Sequence, residues 1–149
     1  MIIQTANISD APSIANFQVL MAMESEGTSI EYSQVLKGVS EAITDPNKGT
    51  YIIARSDENE PIASLFVTRE WSDWHGGWYW WIQSVYVNPA FRRQGVYKAM
   101  YNHVKSMAKD SNVTTIRLYV DKTNATGLST YRSLGMHESH YVIYEEELS

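Results

Sequence analysis

The sequence predicts a mixed α/β domain whose elements follow the order β α α β β β α β α β. Short runs rich in β-branched and aromatic residues alternate with segments whose apolar residues recur every three or four positions. Turn signals separate these runs, and no repeat, linker or low-complexity stretch interrupts them. The strand–helix–strand unit over residues 80–120 predicts a right-handed parallel crossover, in a twisted sheet with helices on both faces.

The first part of the chain is predicted to supply one strand and two helices. Residues 1–5 have the apolar character of a strand. The residues before Pro12 carry capping side chains, and a proline in the first turn of a helix lacks only an N–H that has no partner there. This helix loses its pattern at residues 24–27, and a second helix is expected over residues 33–44.

Three strands are predicted to follow. Residues 51–54 and 62–70 form a hairpin around a polar turn, and a third strand runs over about residues 78–87. Asn88 and Pro89 end this strand, because proline lacks the N–H that would continue a ladder.

The last third of the chain is predicted to contain two helices and two strands. Apolar residues spaced by three and four positions from Val96 onward predict a long helix with one buried face. A strand over residues 115–120, a short helix capped by Asn124 and a final strand over residues 139–146 complete the order.

The composition predicts one domain over residues 1–149 and argues against several classes of protein. With 44% hydrophobic and 19% charged residues, the chain is long enough for a hydrophobic core, and it has no run of membrane-spanning length. A net charge of −5 disfavours a nucleic-acid partner and suits a cationic small molecule.

The start of the chain lacks a secretion signal, and the absence of cysteine excludes disulfides and thiol nucleophiles, so a cytoplasmic location is expected. The four histidines lack metal-ligand spacing, so no metal is predicted, and the oligomeric state stays open between monomer and homodimer.

A basic loop joins the third of these strands to the long helix. It reads Arg92-x-x-Gly95-x-Tyr97. The first N–H groups of a helix have no intrahelical partner and the helix dipole adds positive potential, so this position favours an anion such as phosphate. The loop fits neither the Rossmann nor the P-loop pattern, and taken alone it is more often a solvated basic turn.

A second motif changes that interpretation. Residues 124–136 read Asn-Ala-Thr-Gly-Leu-Ser-Thr-Tyr-Arg-Ser-Leu-Gly-Met. Together with the loop, this segment resembles the GNAT acetyltransferase superfamily. In that superfamily an arginine/glutamine-x-x-glycine-x-glycine/alanine loop precedes an asparagine-capped helix that carries a tyrosine and ends in a leucine–glycine–aromatic turn. The resemblance covers residues 78–136, and the chain departs from the pattern at Tyr97 and Met136.

The resemblance implies acetyl-coenzyme A (acetyl-CoA) as co-substrate. Main-chain groups of Val85 and Val87 would pair with the pantetheine arm like an added strand. Asn124 would cap its own helix and contact the cofactor, with a cap alone as an equal alternative. Tyr131 would be the general acid that protonates the leaving thiolate. The pyrophosphate would be held, mostly through backbone N–H groups, by Arg92, Arg93, Gln94, Gly95, Val96, Tyr97 and Lys98.

The acceptor side offers carboxylates but no evident base. Gln83 stands where some amine acetyltransferases of the superfamily carry a glutamate, and its amide cannot take a proton at neutral pH. Glu24, Glu26, Glu70 and Asp73 are candidates to bind the acceptor or activate it through water, and each is also explained as a solvated surface carboxylate.

All five tryptophans lie between residues 71 and 81. Alternation along the strand predicts that Trp78 and Trp80 share one face while Tyr79 and Trp81 share the other. Trp71 and Trp80 are candidates to line an acceptor pocket, where aromatic faces could hold a cation. Burial of these rings for stability is an equal alternative.

These features predict an N-acetyltransferase that transfers acetyl directly from acetyl-CoA to a primary amine of a small cationic acceptor. The absence of cysteine favours direct transfer over a thiol relay. Two alternatives stay open, a non-catalytic acyl-CoA sensor on the same fold and an O-acyltransferase.

Overall fold

The computed structural model describes all 149 residues and confirms the mixed α/β class. Its elements are β1 (Ile2–Thr5), α1 (Ala11–Glu26), α2 (Tyr32–Thr44), β2 (Thr50–Arg55), β3 (Pro61–Ser72), β4 (Gly77–Val87), α3 (Val96–Lys109), β5 (Val113–Arg117) and α4 (Ala125–Ser133). The chain divides into two compact units, Met1–Leu118 and Tyr119–Ser149. None of the helices combines the length and the apolar character needed to cross a lipid bilayer.

The first unit contains one five-stranded sheet in the order β1-β2-β3-β4-β5. Neighbouring strands from β1 to β4 are antiparallel, whereas β5 runs parallel to β4. The chain passes from β4 to β5 through α3, which is the predicted crossover. The ends of β1 to β4 agree with the predicted boundaries within two residues.

Helices cover both faces of this sheet. The four consecutive β2 residues 51–54 are all buried, although successive side chains of a strand point to opposite faces. Tyr51 and Ile53 share one core cluster with α1 and α2. The other face packs against α3, whose buried residues include Met100 and Val104, both at 0% exposure.

A buried ion pair fixes the start of α1. Asp10 is 3% exposed, and its carboxylate pairs with the Arg55 guanidinium at the end of β2. The same carboxylate accepts the Asn7 backbone N–H at 3.0 Å and completes a capping box. The turn before α1 is therefore tied to the sheet by side-chain contacts.

The second unit contains α4 and no strand. Asn124 caps α4 as predicted, since its side-chain oxygen accepts the Gly127 N–H at 2.9 Å. The strand predicted for residues 115–120 already ends at Arg117, and the one predicted for residues 139–146 is not formed. The latter segment has the apolar content of a strand, but its side chains are exposed, Tyr144 at 93%. Apolar content alone does not make a strand, which also needs a ladder partner and a buried face.

Candidate active site

Strand β4 carries a β-bulge near its middle. Gln83 lies opposite Phe66, and Tyr86 lies opposite Ser64. Between these two pairs, β4 has two residues, Ser84 and Val85, where β3 has only Leu65. Ser84, one of the two, has a φ of +55°, in the left-handed region that few non-glycine residues adopt. Sequence reasoning missed this bulge because no glycine marks it.

The bulge is followed by an uncovered strand edge. The last β4 residue to pair with β5 is Trp81, and β4 continues to Val87. The Asn88 N–H donates to the Ile62 carbonyl at 2.8 Å. In an antiparallel ladder, this bond means that Val87, the residue before, turns its own N–H and C=O away from β3. By alternation Val85 presents its backbone on the same edge. This edge can therefore accept an extended ligand as an additional strand.

The basic loop leads directly into α3. Gly95 is the N-cap residue with a φ of +81°, and no side chain caps the helix. Arg93 also has a positive φ, +62°. A Cβ placed on Gly95 would meet no atom within 4 Å, so the space before the helix is open, while its φ favours glycine. Uncapped N–H groups facing open space are what an anion site requires.

Tyr97, the departure from the small residue of the motif, packs along α3. Its ring lies 6.3 Å from the ring of Tyr101, one turn further on, and the side chain is half-buried. The other side chains of the predicted pyrophosphate loop are exposed, apart from the buried Val96.

Arg92 makes three contacts that join the loop to α1 and β4. Its Nε donates to the Val87 carbonyl at 2.8 Å, and its Nη1 donates to the Glu24 carboxylate at 2.5 Å. Its guanidinium lies 5.5 Å from the centre of the Tyr86 ring. The hydrogen bond from Arg92 lowers the pKa of Glu24, which makes that carboxylate a weaker base. Glu24 is thus held at the predicted cofactor loop, and Glu26 lies exposed at the end of α1.

The structure does not bring the predicted tryptophans together with Gln83. Trp80 is 8% exposed and faces the α3 side of the sheet. Trp71 lies on the same face, its ring in edge contact with Trp78 at 4.9 Å. Gln83 points to the opposite face, which it shares with Trp81. The predicted alternation of the rings is observed, but Trp71 and Trp80 do not line one pocket with Gln83.

Hydrogen bonds hold the polar side chains on the Gln83 face. The Gln83 Nε2 donates to the Thr68 hydroxyl at 2.9 Å. The hydrogen-bond acceptor of the Gln83 side chain is its carbonyl oxygen. The Trp81 indole N–H donates to the Glu70 carboxylate at 2.9 Å. Both pairs cross from β4 to β3 and fix side chains next to the bulge.

Arg117, which sequence reasoning did not select, lies on the same face at the end of β5. Its guanidinium stands 4.2 Å from the centre of the Tyr79 ring and 5.8 Å from that of Trp81. Its Nη1 is 3.9 Å from the Glu70 carboxylate. The Tyr79 and Trp81 rings therefore already hold a cation of the protein itself.

Tyr131 lies in α4, in the second unit. Burial raises the pKa of its phenol above the ordinary range. The side chain is therefore fully protonated at neutral pH, as a general acid must be before it acts.

A family model for the acetyltransferase (GNAT) family matches residues 16–136. The chain belongs to this family. GNAT proteins are acyltransferases, and the GNAT fold extends over the whole chain in solved structures. "A possible acetyltransferase" from Clostridium difficile 630 is 36% identical, with 99% of this chain and 97% of that one covered and a TM-score of 0.92. No curated protein gives a significant match.

More distant solved structures share the fold. A ribosomal-protein-alanine N-acetyltransferase from Brucella melitensis biovar Abortus 2308 is 14% identical, with 99% of this chain and 100% of that one covered and a TM-score of 0.81. A "predicted acetyltransferase with acetyl-CoA" from Clostridium acetobutylicum is 17% identical, with 97% and 95% covered and a TM-score of 0.79.

The residues of this GNAT chain fit the co-substrate that the family uses. The uncovered β4 edge offers outward backbone groups of Val87 to an amide-bearing arm, and the uncapped start of α3 offers N–H groups to phosphate. The glycine at the N-cap leaves the approach open. The strand edge and the helix start lie along the same stretch of chain.

Proposed function

We propose that the protein transfers an acetyl group from acetyl-CoA directly to a primary amine of a small, cationic acceptor. The observation that carries the proposal is the uncovered backbone edge of β4, which runs into an uncapped helix start. The net charge of −5 supports a cationic acceptor. The absence of cysteine supports direct transfer and a cytoplasmic location.

The chain's own groups would have separate tasks. Bound acetyl-CoA supplies an acetyl group already activated as a thioester. Backbone groups of Val85 and Val87 would align the pantetheine arm, and the first turn of α3 would hold the pyrophosphate. Tyr131 would keep a proton on its Oη for the departing sulfur. The Gln83 side-chain oxygen could orient the acceptor ammonium, whose proton would leave through water because an amide is not a base.

Acetyl-CoA is expected to raise the melting temperature of the protein. A ligand selective for the folded state at 100 times its dissociation constant adds about 2.7 kcal/mol, which corresponds to roughly 5–10 °C for a chain of this size. The measurement is a thermal scan with increasing acetyl-CoA, with AMP, which lacks the pantetheine arm, as the control. No shift at millimolar acetyl-CoA would refute the cofactor assignment.

The acceptor is identified by release of free thiol from acetyl-CoA. The panel comprises polyamines, amino acids, aminoglycosides and peptide amino termini, each matched with an alcohol that replaces the amine. Amine-dependent thiol release supports N-acetylation, whereas release with the matched alcohols points to O-acylation. Binding without thiol release across the panel would support the sensor function instead.

A further inference from the structure

Arg92 occupies a backbone group that the cofactor is proposed to use. The Val87 carbonyl points to the uncovered edge of β4, and in this structure it accepts the Arg92 Nε–H at 2.8 Å. A pantetheine arm added along that edge would compete for the same oxygen atom. Arg92 therefore covers the Val87 carbonyl on the side where a paired arm would lie.

Glu24 holds Arg92 in this position from another element. It lies in the last turns of α1, far from Arg92 in sequence, and accepts the Arg92 Nη1–H at 2.5 Å. The hydrogen bond lowers the pKa of Glu24 and raises that of Arg92, so both groups are charged at neutral pH. The side chains are 46% and 40% exposed, which makes this a modest interaction that a stronger anion can replace.

The surroundings keep the guanidinium on this side of the strand. The Tyr86 ring lies beneath Arg92 and stacks on Phe17 of α1 at 5.3 Å. These aromatic contacts connect α1 to the end of β4, close to the start of the basic loop.

We propose that Glu24 is a positioning residue that holds Arg92 on the uncovered edge of β4. When the cofactor binds, its pyrophosphate takes the place of the Glu24 carboxylate as the partner of Arg92. This inference rests on the proposed function, because it takes acetyl-CoA as the ligand. On binding, Arg92 exchanges one anionic partner for another, the Val87 carbonyl becomes available to the pantetheine arm, and the Glu24 carboxylate is released. Glu24 thus opposes cofactor binding, and its negative charge lowers the affinity of the protein for the cofactor.

Calorimetric titration with coenzyme A tests this exchange in four proteins: the parent chain, Glu24→Gln, Arg92→Gln and the double variant. Glu24→Gln should bind coenzyme A about two- to fivefold more tightly, the range expected for loss of a half-exposed ion pair. Arg92→Gln should bind more weakly. In the Arg92→Gln background, Glu24→Gln should have no further effect, because the two residues act as one unit.

A matched control and a kinetic measurement separate positioning from general effects. Glu41→Gln removes the same charge from the exposed surface of α2 and should leave the dissociation constant unchanged. In steady-state assays Glu24→Gln should lower the KM for acetyl-CoA without changing kcat.

Three results have distinct meanings. If the parent chain does not bind coenzyme A, the proposed function fails. If it binds and Glu24→Gln binds equally or more weakly, the exchange is refuted while the function stands. If Glu24→Gln instead raises only the KM for the amine, Glu24 belongs to the acceptor site, and the exchange is again refuted.

Discussion

Replacing Tyr131 by phenylalanine is expected to lower kcat by about 10²–10⁴-fold, the usual contribution of a positioned general acid. The change removes only the hydroxyl oxygen and its proton, so the helix and the cofactor contacts proposed for other residues persist. The dissociation constant for acetyl-CoA should therefore stay within about twofold of the parent value, while the departing thiolate loses its proton source. Steady-state kinetics and calorimetry on the same preparation measure the two quantities.

The pH dependence gives an independent test of the same role. Burial raises the pKa of Tyr131, and a general acid acts only while protonated, so kcat should not fall with rising pH until above the ordinary tyrosine pKa of about 10. Phenylalanine at this position should abolish that alkaline decline. Tyr32→Phe, at an exposed position of α2, is the control and should retain full turnover. Unchanged kcat in Tyr131→Phe would exclude Tyr131 as the acid.

Replacing Asp10 by alanine is expected to lower the free energy of unfolding by about 3 kcal/mol, or roughly 6–12 °C in melting temperature. The substitution leaves the Arg55 guanidinium, at 12% side-chain exposure, without its carboxylate, and it removes the acceptor of the Asn7 N–H. A charge left inside without its partner costs more than the intact pair contributes. Thermal or denaturant unfolding measures the loss.

A surface ion pair is the control for this prediction. Asp57 pairs with the amino terminus at 2.6 Å, but its side chain is 92% exposed, so Asp57→Ala should leave the unfolding free energy nearly unchanged. Asp10→Asn retains one oxygen as acceptor and should fall between the two. Equal losses for Asp10→Ala and Asp57→Ala would contradict the structural role of Asp10.

The geometry of β4, the basic loop and α3 could be predicted from the sequence because it depends on local features. A strand ended by Asn88-Pro89, a basic loop with Gly95 and a helix with one apolar face are all encoded within a few residues of each other. Their geometry agrees with expectation, including the helix start at Val96. The bulge at Ser84 escaped prediction, since it is visible only in the register between two strands.

The side-chain contacts around Gln83 and Glu24 could not be predicted, because they depend on which face each side chain takes and which partner it meets. Alternation separated Trp80 from Trp81 correctly, but it did not tell which face is covered by α3. The pairing of Glu24 with Arg92 joins residues far apart in sequence, and Arg117 reaches Tyr79 only through the parallel pairing of β5. Such contacts follow from tertiary packing and leave no periodic signal in the chain.

The uncovered edge of β4 affects which amino-acid substitutions the protein can tolerate there. Backbone N–H and C=O groups are the same for every residue except proline, which lacks the donor. A site that uses the edge through its backbone thus places little demand on the side chains at positions 85 and 87. In a saturation mutagenesis screen, these half-buried positions should accept other apolar side chains of similar size and reject proline. Side chains on the Gln83 face could then diverge while the backbone edge stays intact.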